Sequence, residues 1–202
     1  MSERLRVGVL GAGVMGSGIA QVTATAGYPS ACYDVDAGAL DRAREHVTTG
    51  RYGLERGVER GKVTREDADA ALARLTFTPS FEEAAAADLV IEAVPERLDL
   101  KVRVFRDLDA AAAPATILAS NTSGFPIAAM SAATSRPGQV IGWHWASPAP
   151  VMRFAEIVRT SARPRPPWRP CARWRVAAGS RRSWSTTATP PGASWRTGST
   201  SP

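Results

Sequence analysis

Thiol and imidazole groups are scarce in this chain: 202 residues carry two cysteines, Cys32 and Cys171, and two histidines, His46 and His144. Two thiols do not make a disulfide framework, and no metal site is expected. No apolar run approaches the ~20 residues needed to span a bilayer, and the opening residues lack the basic-then-apolar order of a secretory signal. These absences predict a cytoplasmic protein with no membrane contact. Acidic residues are missing from one region as well. Residues 161–202 hold eight Arg and no Lys, Asp or Glu, so the net charge of +6 belongs to that stretch. The first 160 residues are slightly acidic, with 17 positive against 19 negative charges. A body of that size, about 150 residues, can bury a sizeable core.

What is abundant near the start is glycine. The run Gly11-Ala12-Gly13-Val14-Met15-Gly16 follows directly on the apolar stretch Leu5-Arg6-Val7-Gly8-Val9-Leu10. A strand that ends in such a turn and passes at once into a helix directs backbone N–H groups and a helix N-terminus at one point, where a diphosphate can sit. Gly11 permits the tight turn, Gly13 leaves room for the phosphates, and Gly16 lets the helix lie close to its strand. Val14, Ile19, Val22 and Ala26 share one face of that helix, as packing on a sheet requires. Asp34 closes a second short apolar stretch, Ser30-Ala31-Cys32-Tyr33. A carboxylate there can accept hydrogen bonds from both ribose hydroxyls and would repel a 2′-phosphate, so NAD is predicted over NADP. A plain βαβ unit with no ligand is the weaker alternative.

Beyond Asp34 the pattern predicts helices over residues 37–53 and 65–75, with Thr64 as an N-cap. A strand at 75–78, an acidic Ala-rich helix at 81–87 and a buried strand at 89–94 follow. Next come a helix at 98–112, a strand at 116–120, a short helix at 126–132, and strands at 140–143 and 154–158. Strands alternating with helices predict an α/β fold with a doubly wound parallel sheet.

Five segments together resemble the L-3-hydroxyacyl-CoA dehydrogenase family, including its 3-hydroxybutyryl-CoA form. They are Gly11–Ala20 (GAGVMGSGIA), Asp34, Ile91–Lys101 (IEAVPERLDLK), Ser120–Ser123 (SNTS) and His144–Val158 (HWASPAPVMRFAEIV). The resemblance covers about residues 4–160 and implies a Rossmann-type NAD-binding domain over residues 1–160. It implies an acyl-CoA substrate, with His144 as the general base that removes the proton of a 3-hydroxyl. An imidazole suits that task because its ordinary titration lies near neutrality. Glu156 would hold the imidazole, Ser123 would bond the substrate's oxygen, and Asn121 would order that loop. Glu96 and Lys101 match positions near the cofactor's ribose and nicotinamide end, beside the turn residues Gly11, Gly13, Val14, Met15 and Gly16. The family pattern His-Phe-Phe-Asn-Pro is here His144-Trp145-Ala146-Ser147-Pro148. Ser147 keeps a hydroxyl for cofactor or substrate but with a shorter reach than Asn. Losing such a bond costs about 1–3 kcal/mol when its partner stays buried.

Each of these residues also has a plainer reading. A lone His beside two Trp is often a core residue. Glu156 could be an exposed strand position, Asn121 and Ser123 turn formers, and Glu96 and Lys101 surface charges. His46, on the polar stretch Arg44-Glu45-His46, is given no role. A dinucleotide-binding fragment without turnover is the alternative to an enzyme.

From Ser161 the character changes. Forty-two residues hold seven Pro, eight Arg and four Trp, and Val176 alone among branched aliphatics. No period survives, so a low-order, disordered tail is predicted. The resemblance implies that family members continue instead into an all-helical domain that completes the substrate cleft and forms the dimer contact, a domain expected to be missing here and replaced by the tail. Back-translation of Arg181 to Gly198, read from the third base of each codon, permits a segment resembling the family's Asp-Thr-Pro-Gly-Phe…Asn-Arg. The tail is therefore read as out of frame. Interleaved Arg and Trp could bind nucleic acid or an anionic membrane, but no nucleic-acid partner is expected.

Overall fold

The computed structural model describes residues 5–152, 154–160 and 181–185. Its elements run β1 (Val7–Leu10), α1 (Val14–Thr25), β2 (Ser30–Tyr33), α2 (Ala37–Thr48), α3 (Leu54–Glu59), α4 (Arg65–Leu72) and β3 (Leu75–Thr78). Then come α5 (Phe81–Ala85), β4 (Leu89–Glu92), α6 (Leu98–Ala111), β5 (Ile117–Ser120), α7 (Ile127–Ser131), β6 (Val140–Trp145), β7 (Phe154–Arg159) and β8 (Arg181–Ser185).

The strands make one sheet in the order β3-β2-β1-β4-β5-β6-β7-β8. From β3 through β6 every pairing is parallel. The chain winds outward from β1 to β2 and β3, returns, and winds the other way through β4, β5 and β6. That reversal opens a crevice at the carboxyl ends of β1 and β4, where Leu10 pairs with Glu92. Ligands of doubly wound sheets bind at such a point. Strand β7 runs antiparallel to β6, because its connection is too short for a crossover.

Both faces of the sheet are covered, which is why its strands read as nearly unbroken apolar runs. Val7, Val9, Leu89, Ile91, Ile117 and Ala119 point to the face carrying α1, with Ile19 and Ala20. Leu10, Val90 and Leu118 point to the other, against Phe105, Leu108 and Met130. Gly8 allows α5 to approach the sheet, since a Cβ there would lie 2.0 Å from the Ala84 carbonyl oxygen. Cys32 is buried within the sheet; burial and then the Asp34 charge push its thiol up to about 12, so it stays neutral and unreactive.

Thr64 caps α4 as predicted, its Oγ1 accepting from Asp67 N at 3.0 Å. The helix expected over 37–53 stops early, at Thr48. Thr48 and Thr49 turn their hydroxyls back onto the Arg44 and Glu45 carbonyls, Gly50 N bonds to Glu45 O, and α2 ends there. Helix α3, missed in the sequence, begins at Leu54 and joins α2 and α4 in a small core of Val47, Leu54, Ala68 and Ala71. Beyond residue 160 the expectation of no regular structure is corrected at five positions: Arg181–Ser185 pairs parallel to β7. The remainder of the predicted tail lies outside the described residues. Among the described residues no helix is long and apolar enough to cross a membrane.

The close contact at Gly8 yields a stability test. Gly8→Ala forces the Ala84 backbone away from β1 and is expected to cost about 1–3 kcal/mol, read as a lowered midpoint in thermal or urea denaturation; an unchanged midpoint would contradict this packing.

Candidate cofactor and catalytic site

At the end of β1 the chain enters the glycine turn. Gly11 has φ +98°, which only glycine adopts readily, and a Cβ there would come within 2.6 Å of Ala93 O. Gly16 is equally constrained: its Cβ would lie 1.7 Å from Gly11 O, so any side chain would push α1 off the strand. Around Gly13, by contrast, a Cβ would meet nothing within 4 Å. Helix α1 begins there with no side-chain cap and no acidic residue in its first turn. Its first amides thus lack the usual internal partners and face open space. That is an anion cradle, and the diphosphate of a dinucleotide fits it. Val14 is exposed at its lip, and Met15 packs partly against the core.

Asp34, at the end of β2, is tied to this turn. Its Oδ2 accepts from Ala12 N at 2.8 Å and its Oδ1 from Asp36 N at 3.1 Å. Each oxygen keeps a second lone pair for a ribose hydroxyl. Nearby Arg42 is paired with Asp36 at 3.1 Å.

On the other side of the crevice lies a buried ionic hub. Glu92, fully buried at the end of β4, accepts at Oε1 from Lys101 Nζ at 2.7 Å and Val94 N at 2.8 Å, and at Oε2 from Ser120 Oγ at 2.6 Å. Lys101 Nζ also reaches Val94 O at 3.2 Å and Glu96 Oε2 at 3.1 Å. Its three protons therefore have three acceptors. Lys101 is buried, not a surface charge. Glu96 is half exposed and gathers the loop after β5, accepting from the Thr122 hydroxyl and from the backbone N–H groups of Ser123 and Gly124 at 3.3 Å. Partial burial opposes its charge, but the Thr122 hydroxyl, the Lys101 ammonium and the Gly124 N–H outweigh this and hold its carboxyl below the usual range. Glu92, Ser120 and Thr122 escaped the sequence reading. The available signal was Glu92 itself, a carboxylate within a continuous buried run, which demands a partner.

His144 and Glu156 are direct cross-strand partners in the β6–β7 pair. Such positions put their Cβ atoms about 4.5–5.5 Å apart on one face. Trp143 and Trp145 turn to the opposite face, stacked 5.4 Å apart within the α1-side core, so the strand's alternation leaves His144 half buried and outside that core. Asn121 Oδ1 accepts from Trp145 N at 2.9 Å and clips the loop after β5 to the end of β6. Ser123 is exposed on this loop. Ser147 is exposed in the β6–β7 connection, preceding the cis bond to Pro148.

A cavity of about 430 Å³ lies between α1, the α2–α3 connection and the β6–β7 connection. Trp145, Ala149 and Pro150 line one side, and Arg51, Arg56, Arg60 and Lys62 the other. Gln21 Nε2 donates to Tyr52 O at 2.8 Å and holds the cationic side to α1.

Residues 6–164 match the family model described as 3-hydroxyacyl-CoA dehydrogenase, NAD binding domain. The chain belongs to this family. It is 42% identical over 157 residues to a probable 3-hydroxybutyryl-CoA dehydrogenase of Bacillus subtilis, spanning 78% of this chain and 54% of that protein. It is 44% identical over 166 residues to a 3-hydroxybutyryl-CoA dehydrogenase of Mycobacterium tuberculosis, spanning 79% and 56%. Among solved structures it is similar to the 3-hydroxybutyryl-CoA dehydrogenase of Escherichia coli K12, with a TM-score of 0.84 and 36% identity over 91% of this chain and 38% of that one. The match to the curated dehydrogenases thus spans just over half of their length. What this chain carries is the family's NAD-binding domain, and the glycine cradle and Asp34 are residues that would hold the cofactor.

The hub of this NAD-binding domain can be tested in two ways. Lys101→Met strands the Glu92 charge and should cost about 3–5 kcal/mol in urea denaturation, whereas the double variant with Glu92→Leu should recover much of that loss. The second concerns pH. Folding lowers the proton affinity of Glu96, so its contribution to stability is complete above the ordinary Glu value of about 4.3 and fades as pH falls through its lower folded value. Thr122→Val should move the Glu96 carboxyl resonance back toward the ordinary midpoint in an NMR titration; an unmoved midpoint would refute the assigned cause.

Proposed function

We propose that the protein interconverts 3-hydroxyacyl-CoA and 3-oxoacyl-CoA with NAD, using short-chain substrates such as 3-hydroxybutyryl-CoA. The observation that carries this is the cross-strand pairing of His144 with Glu156 beside the carboxyl end of the sheet. When bound, NAD supplies the redox chemistry. His144 accepts the proton of the substrate's 3-hydroxyl at an unprotonated ring nitrogen and returns it in the reverse direction. Glu156, directly across the strand pair, orients the ring. The Ser123 hydroxyl bonds the substrate's oxygen, on a loop held by Asn121 and Glu96. Glu96 and Lys101 shape the nicotinamide end, with Lys101 acting through Glu96 because its ammonium is buried and fully bonded. Ser147 contributes a hydroxyl from the β6–β7 connection. The cationic side of the cavity suits the phosphates of a CoA thioester.

A second reading is a NAD-binding fragment without turnover. It is favoured by the length of the match, which leaves nearly half of each curated relative without a counterpart. Loss of NADH absorbance with acetoacetyl-CoA separates the two. Turnover that falls at least about a hundredfold in His144→Ala, with NADH affinity preserved, supports the enzyme; NADH binding with no turnover in the unaltered chain supports the fragment.

A further inference from the structure

The proposed mechanism uses one of the two histidines. The other, His46, lies in the last turn of α2 and points at the helix that bears the cofactor cradle. Its Nδ1 is 2.8 Å from Ser17 Oγ. Ser17 is buried, and its Oγ is also 2.9 Å from Gly13 O and 3.4 Å from Val14 O. The half-buried imidazole lies close beside Gly50, where an added Cβ would come within 2.9 Å of its Cδ2.

Proton counting leaves two ways for this chain of contacts to run. A serine hydroxyl has a single proton. If it is given to His46, Gly13 O loses the hydroxyl as a donor. If His46 carries a proton on Nδ1 and donates it to Ser17 Oγ, the hydroxyl proton is free for Gly13 O, and the two bonds in series strengthen each other. Gly13 O then receives both Ser17 N, at 2.9 Å, and Ser17 Oγ. A trans peptide unit is planar, with its C=O and the following N–H pointing in opposite directions. Clamping the Gly13 carbonyl along the helix therefore aims the Val14 N–H out of the N-terminus, into the open space beside Gly13.

We propose that His46 is a positioning residue for the diphosphate of the cofactor: donating from Nδ1 to Ser17, it sets the Gly13–Val14 peptide that faces the phosphates. This rests on the glycine turn being the diphosphate cradle.

The test measures affinities of the full chain for NADH, for ADP-ribose, which keeps the diphosphate but lacks nicotinamide, and for adenosine, which has no phosphate. His46→Leu is expected to weaken NADH and ADP-ribose roughly three- to tenfold and to leave adenosine unchanged. Ser17→Ala should do the same, and the double variant should be no weaker than the weaker single. His46→Asn, whose amide can replace the donor, should restore binding. His46→Asp matches Asn in size and shape but only accepts, so it should bind worse than Asn even if the Leu variant fails to fold. Unchanged NADH affinity in His46→Leu, an equal loss for adenosine, or Asn and Asp variants that bind alike would each overturn the role of His46. If the unaltered chain bound neither NADH nor ADP-ribose, the cradle itself would fall and this inference with it.

Discussion

Strands β1 and β4 lie side by side although the chain visits β2 and β3 between them, and this pairing brings the two halves of the site together. Leu10 and Glu92 are in register at the same end of the sheet. The glycine turn leaves one strand and the Glu92 hub begins at the other. Their separation is small enough for Ala93 N to bond Leu10 O at 2.7 Å and for Gly11 to tolerate no side chain against Ala93. Parallel pairing of neighbours with opposite winding places the crevice at their carboxyl ends by topology alone.

The two walls of the crevice differ electrically. One offers uncapped helix amides and no acid in the first turn, a region of positive potential. The other offers one lysine set between two carboxylates, buried Glu92 and half-exposed Glu96, so this wall carries one formal negative charge in excess. Desolvating such a group of ions is costly, and their mutual bonds offset that cost only because each polar atom has a partner. The loop after β5 inherits its position from this arrangement through Glu96 and Thr122. Asn121 then ties the same loop to β6.

Much of this could be read before any coordinates. The glycine run, the alternation of strands and helices and the cap at Thr64 follow from rules that act over a few residues. So did the order of the motifs that led to the family. Other features depend on distant partners. The plainer reading of Lys101, a surface charge, stood open beside its family role because nothing within its own helix announces Glu92, nine positions earlier in another element. The break between α2 and α3 came from two threonines competing for helix carbonyls, a preference too weak to outvote the helical pattern around it. His46 looked idle because its partner, Ser17, stands 29 positions away on a different helix.

Local chemistry by itself specified where a diphosphate can be cradled, because backbone freedom at glycine and the start of a helix are properties of consecutive residues. It also specified which strands are buried on both faces, from their unbroken apolar runs. Only the folded sheet determined that His144 stands opposite Glu156, since cross-strand register is a relation between segments that no spacing along the chain encodes. The same holds for burial of Lys101 and for the contact of His46 with the cradle: each is a pairing of polar groups that becomes compulsory once packing has removed water from around them.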